Sequence, residues 1–325
     1  MLKNGYQVRL ARVQSLVALV AISVALSLAS PAFLTPDNAL NILRQISGNL
    51  CLSIGMTVVI LTGGIDLSVG AVLALAGAMA ARLIKFGVTW HAAGLHFEFT
   101  LSGAIAVALL AGCGLGLFNG IAVTKLRLPP FVATLAMLSI ARGFTFLWTG
   151  GYPITGLPSG FGFMGSGSWL GVPMQVWIVG MLAVMFMLIA GQTAFGRHLY
   201  AVGGSERAAR LSGVSVDHTK LAAYAICGTL SGLAGLLVTA RLDSAQPNAG
   251  LGYELDSIAA VVIGGASLSG GRGSIAGTVL GCLIIGVLNN GLFLLDVSPF
   301  WQQSIKGAVI LLAVAVDRLS EKETA

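Results

Sequence analysis

Charge is what this sequence has least of: Asp, Glu, Lys and Arg together make up 9% of its 325 residues. Soluble domains carry roughly 25%, and a soluble chain this poor in charge could not cover its surface. Phosphate-loop chemistry is missing as well. No lysine follows a glycine, so G-x-x-x-x-G-K-[ST] occurs nowhere and the chain cannot hydrolyse ATP by that route alone. A rhomboid-type G-x-S-G, the G-x-G-D of intramembrane aspartyl proteases and H-E-x-x-H are also absent, which argues against an intramembrane enzyme. Cys51, Cys113, Cys227 and Cys282 lie far apart in apolar surroundings without C-x-x-C spacing. They read as buried inert thiols, not as a disulfide or metal framework. His91, His96, His198 and His218 form no ligand pattern, so no metal is expected.

What the chain has instead is apolar and small: 56% hydrophobic residues, 44 glycines and a mean hydropathy of +0.90. These define an all-α polytopic membrane protein embedded in lipid, its glycines letting helices approach closely. The net charge of +6 reflects basic cytoplasmic loops and does not point to nucleic acid. About ten crossings are expected, at 13–34, 39–61, 71–83, 101–123, 131–149, 173–190, 221–240, 257–263, 275–295 and 303–316. The eighth is too short to span alone, since about 20 residues are needed. The whole chain, 1–325, reads as one transmembrane domain with a cytoplasmic segment at about 192–220. Lys3, Arg9, Arg12, Lys125, Arg127, Arg197, Arg207, Arg210, Lys220, Arg272, Arg318 and Lys322 then fall inside, and both termini are cytoplasmic. Arg44, Arg82, Lys85, Arg142, Arg241 and Lys306 fall elsewhere.

Two stretches interrupt the apolar runs. In GMTVVILTGGIDLSVG, Gly63-Gly64 is followed by Asp66 and Ser68. Paired glycines loosen a helix, which lipid tolerates only where protein or a water-filled cavity covers the backbone. An acid beside such a break is a functional candidate by default. Gly264-Gly265-Ala266-Ser267-Leu268-Ser269-Gly270-Gly271 repeats the GG-x-x-LS-x-G skeleton of 63–70, and such pseudo-repeats point to a transport pathway. Ser267 stands where Asp66 does, so Asp66 reads as a cap or gate element more than as half of a symmetric site. Asn41, Gln45 and Asn49 share one helix face and either line a polar path or bond a neighbouring helix. Asn119, Asn289 and Asn290 are open to the same two readings. Arg142 is either an ion-coupling residue or a structural partner; Glu254 and Asp256 are either functional or solvated in a loop. Between spans, Ser205 can N-cap a short helix that Gly213 ends, serving as a connector or a docking element.

Three stretches carry a resemblance to a known family: GMTVVILTGGIDLSVG (55–70), FVATLAMLSIARG (131–143) and ARLDSAQPNAGLGYELDSIAAVVIGGASLSGGRGS (240–274). They resemble ribose-type sugar ABC transporter permeases, over about 33–317. Many relatives have Ser where this chain has Gly63. The resemblance implies a transport subunit, not an enzyme, in a bacterial inner membrane. It implies a second copy of the chain, cytoplasmic ATP-binding subunits holding ATP and Mg, and a periplasmic or extracellular sugar-binding protein. It also implies that Ser205, Glu206, Arg207, Ala208, Ala209, Arg210, Leu211 and Gly213 form the coupling helix that fits a groove in the ATPase. The solute expected is ribose or a related pentose. A hexose, nucleoside or signalling furanose importer of the same superfamily, and an ion-coupled secondary carrier, remain as alternatives.

Overall fold

The computed structural model describes residues 2–322 apart from 91 and 93, with side-chain surroundings for 13–309 and 311 apart from those two. His91 lies outside the described residues. Thirteen helices follow in order among them. They are α1 (Leu2–Ala29), α2 (Pro36–Leu61), α3 (Val69–Phe86), α4 (Leu101–Thr124), α5 (Pro130–Thr149), α6 (Ser159–Ser166) and α7 (Met174–Gln192). After these come α8 (Ala194–Gly204), α9 (Glu206–Leu211), α10 (Val216–Leu242), α11 (Tyr253–Ile263), α12 (Ile275–Leu294) and α13 (Pro299–Lys322). Three short antiparallel pairs complete the described structure. β1 (Val88–Trp90) pairs with β2 (Leu95–Phe97), β3 (Ile154–Thr155) with β6 (Ser244–Ala245), and β4 (Ser168–Trp169) with β5 (Val172–Pro173).

Local chemistry accounts for six of the helix starts. Thr35, Thr100, Thr193, Ser205 and Ser274 each accept a hydrogen bond from the amide three residues on, capping α2, α4, α8, α9 and α12. Pro36 and Pro130 occupy first turns, where the missing N–H is no loss. Among the described residues, seven helices are long and apolar enough to cross a membrane: α2, α3, α4, α5, α7, α10 and α12. The protein is therefore an all-helical polytopic membrane protein. The expectation of ten crossings also counts α1, whose described apolar part is Val13–Ala29, the 11-residue α11, and α13.

Three connections between the long helices carry regular structure of their own. The stretch after α3 forms the β1–β2 hairpin, and the 150–171 loop contains α6. The cytoplasmic segment expected at 192–220 is helical almost throughout, as α8, α9 and the start of α10. Runs this short carry little periodicity, so packing decides them.

The chain forms two compact units. The first comprises Met1–Gly64, Leu182–Val216 and Leu255–Ala325. Its core joins α1, α2 and α12 through Leu19, Leu26, Phe33, Ile42, Ile46 and Val287. The second comprises Ile65–Met181 and Asp217–Glu254. Here α3 packs on α4 and α5, and small residues, Ala76, Ala80, Ala108 and Ala240, fill the core around Phe161. Backbones meet where α4 crosses α10: a Cβ on Gly112 would overlap the Gly228 carbonyl, the close approach that small residues permit in lipid.

Candidate functional site

Both glycine breaks are helix ends of one kind. After α2, the Gly63 N–H donates to the Ile60 carbonyl at 2.8 Å and the Gly64 N–H to the Val59 carbonyl at 3.2 Å. After α11, the Gly265 N–H donates to Val262 at 2.8 Å and the Ala266 N–H to Val261 at 3.1 Å. Gly63 (φ 78°) and Gly265 (φ 85°) hold the left-handed position. This is the Schellman arrangement, which returns two amides to carbonyls that a helix end leaves without partners. The paired glycines thus terminate helices; they do not merely loosen them.

The repeat slips by one residue between its copies. Sequence aligns Gly63 with Gly264, but the left-handed glycine of the second copy is Gly265. Gly264 instead lets α11 end against α12, since a Cβ there would lie 2.7 Å from the Thr278 nitrogen. Further on, the skeleton's register returns. The Ser68 N–H donates to Asp66 Oδ1 at 2.9 Å, and the Ser269 N–H to Ser267 Oγ at 3.3 Å. Serine and aspartate build the same turn with different oxygens.

In the second unit, three candidates come together. Asp66 is buried and also accepts from Ser68 Oγ at 2.6 Å, while Asn119 Nδ2 donates to Ser68 Oγ at 2.9 Å. Asn119 Oδ1 is buried with no hydrogen-bond partner. Ser68, not Asp66, is the cap residue of α3. Asp66 organises the turn two residues earlier, beside the Ile65 carbonyl that the Thr134 and Tyr224 hydroxyls approach at 3.4 Å. Arg142 donates to the Pro247 and Ala249 carbonyls at 2.7 and 2.8 Å, tying α5 to the 246–249 loop.

In the first unit, the polar stripe of α2 divides. Asn49 Oδ1 accepts from Ser257 Oγ of α11 at 2.9 Å, Asn41 is half-buried and Gln45 is exposed. Asn290 and Asn38 exchange amide hydrogen bonds at 2.8 and 3.0 Å, a helix-to-helix lock between α12 and α2. Asn289 Oδ1 is buried with no hydrogen-bond partner. Sequence reasoning overlooked one pair: Lys306 Nζ of α13 lies 3.1 Å from Asp256 Oδ2 of α11. Asp256 is not solvated in a loop. The signal available was Lys306 itself, a lone charge in the last apolar run, where ionisable groups pair or serve function.

The α8–α9 segment completes the first unit's candidates. Ser205 Oγ accepts from the Ala208 N–H at 3.2 Å, and Gly213 adopts φ 82° just beyond the helix. Ala209 packs with Val202 and Val216. The other α9 residues, Glu206, Arg207, Ala208, Arg210 and Leu211, are exposed, Leu211 to 83%. One alanine of α9 is buried, and basic, acidic and apolar side chains around it are exposed. Among the described residues, no group of three or more His, Cys, Asp or Glu could hold a metal.

Apolar helices of membrane-spanning length, two glycine-ended turns and one exposed short helix are the features these residues build. The family "Branched-chain amino acid transport system / permease component" matches residues 38–314. The ribose import permease protein of Escherichia coli (strain K12) is 48% identical over 94% of this chain and 92% of its own length. That of Bacillus subtilis (strain 168) is 48% identical over 91% and 89%. The xylose transport system permease protein of Haemophilus influenzae (strain ATCC 51907 / DSM 11121 / KW20 / Rd) is 33% identical over 98% and 100%. No solved structure gives a significant match. The chain belongs to this family of ABC-importer permeases.

Proposed function

We propose that this chain is the membrane-spanning permease subunit of an ATP-driven importer of ribose or a related pentose. The observation that carries this reading is 48% identity to ribose import permeases of two distant bacteria across nearly the whole chain. The subunit works in the bacterial cytoplasmic membrane, with both termini inside, as a pair of identical copies. An extracytoplasmic binding protein delivers sugar to it, and a separate cytoplasmic ATPase powers it. Helix α9 is the coupling helix: its cap at Ser205 fixes where it starts, and exposed Arg207, Arg210 and Leu211 supply charge and apolar surface for the ATPase groove. The pathway candidates are Asn41, Gln45, Asn119 and Asn289, whose amides suit sugar hydroxyls, together with the glycine-ended turns at Gly63-Gly64 and Gly264-Gly265.

A second solute reading, another monosaccharide, is favoured by the likeness to the xylose permease over 98% of the chain. The test of coupling is Arg207→Glu with Arg210→Glu, reconstituted with ATPase and binding protein. Sugar-stimulated ATP hydrolysis is expected to vanish while the protein still inserts. Normal stimulation would sink the coupling assignment. Uptake by this chain alone, without ATP, would replace the importer with an ion-coupled carrier.

A further inference from the structure

In the first unit, three backbone segments far apart in sequence meet with no side chain between them. They are the end of α2, the loop after α11 and the end of α8. A Cβ on Gly203 would overlap both the Leu61 carbonyl oxygen and the Gly271 nitrogen. The Gly271 N–H itself donates to that Leu61 carbonyl at 3.1 Å. A Cβ on Gly270 would lie 2.8 Å from the Gly63 nitrogen and 3.0 Å from the Gly203 oxygen. One turn earlier on α8, the Tyr200 hydroxyl donates to the Gly273 carbonyl at 3.1 Å. Both glycine breaks thus converge on one residue, and α9 begins at Glu206, three positions further along the chain.

Side chains that separate packed elements can absorb a small shift by changing rotamer. Backbone laid directly on backbone has no such slack, and close-packed protein transmits displacement. We infer that Gly203 is the positioning residue through which the α8–α9 segment grips both glycine breaks. A movement of α9 then displaces the ends of α2 and α11 together. The inference rests on reading α9 as the coupling helix. It adds the place where the helix acts and the two elements it moves. Tyr200 is the second hold, on the far side of the same loop.

The neighbouring glycine provides the control. A Cβ on Gly204 meets nothing within 4 Å, so Gly203→Ala and Gly204→Ala make the same chemical change with different contacts. Each is reconstituted in proteoliposomes with the ATPase and binding protein, and sugar imported per ATP hydrolysed is measured. Lower stability alone reduces uptake and hydrolysis together and leaves that ratio unmoved. Gly204→Ala is expected to stay within about twofold of wild type, the range of ordinary surface substitutions. Gly203→Ala is expected to lower the ratio about tenfold, within the span of typical coupling energies, with the ATPase still bound.

A wild-type ratio in Gly203→Ala overturns the inference. Where that variant fails to assemble, Tyr200→Phe decides. It removes the hydroxyl alone, and is expected to lower the ratio about threefold for the loss of one hydrogen bond with assembly intact. An unchanged ratio overturns the inference. Should Arg207→Glu with Arg210→Glu abolish stimulation while both of these variants couple normally, the junction alone falls. Should the charge reversal leave coupling intact, the coupling-helix reading falls first.

Discussion

Replacing Gly63 by alanine separates two physical accounts of the first break by the sign of the effect. If the glycine were a soft spot within a continuous helix, alanine would stabilise by about 1 kcal/mol, its advantage in helix propensity. The structure puts Gly63 at φ 78°, and the only atom near an added Cβ is the Ser269 oxygen at 3.6 Å, ordinary contact. No clash offsets or adds to the conformational term, so alanine is expected to destabilise by about 1–2 kcal/mol, the left-handed penalty of an L-residue. At the usual unfolding entropy per residue, scaled to a chain of this length, that lowers the melting temperature by about 1.5–3 °C. Asparagine tolerates the left-handed region, so Gly63→Asn is expected to recover most of the loss.

The second break sharpens the experiment, because adjacent glycines there have different reasons to be glycine. Gly265→Asn is expected to melt above Gly265→Ala, since the constraint is conformational. Gly264→Asn is expected to melt below Gly264→Ala, since the constraint is the Gly277–Thr278 backbone against which α11 ends. Purified protein in detergent, followed by thermal melting, gives all six values under one condition. A higher melting temperature for Gly63→Ala would refute the helix-end account. The reverse order of Asn and Ala at Gly264 and Gly265 would refute the one-residue slip.

Two further outcomes follow from the polar contacts. Lys306→Met leaves Asp256 without its cation; because the two side chains are 29% and 16% exposed, the loss falls between exposed and buried pairs, about 1–3 kcal/mol. Adding Asp256→Asn is expected to restore most of it, and a double variant no more stable than Lys306→Met alone would rule out the pair. Asp66→Asn keeps an oxygen for the Ser68 amide and is expected to lose about 1 kcal/mol with transport unchanged, whereas Asp66→Ala loses about 1–3 kcal/mol. Transport abolished in Asp66→Asn at unchanged melting temperature would assign the carboxylate to the pathway instead.

Features governed by near neighbours in sequence were legible. Ser205 caps α9 and Gly213 follows it in the left-handed region because both effects act within one turn. The partners of Arg142 and Lys306 were not legible. Pro247 lies 105 residues from Arg142, and Asp256 lies 50 from Lys306. A side chain in an apolar run announces that it needs a partner without saying which. Asn290 and Asn49 turned out to bond helices, and nothing in their spacing distinguished that from lining a path.

By itself, the sequence determined the membrane class, most of the long helices, the short exposed helix and the existence of two glycine breaks. Each follows from hydropathy summed over a run or from chemistry within a few residues. Only the tertiary structure decided which glycine of each pair ends its helix, and that Ser267 builds the turn Asp66 builds. It alone placed Gly203 and Gly271 on the carbonyl of Leu61. Such contacts are made by backbone atoms, identical in every residue, so nothing in the letters marks them until the chain is packed.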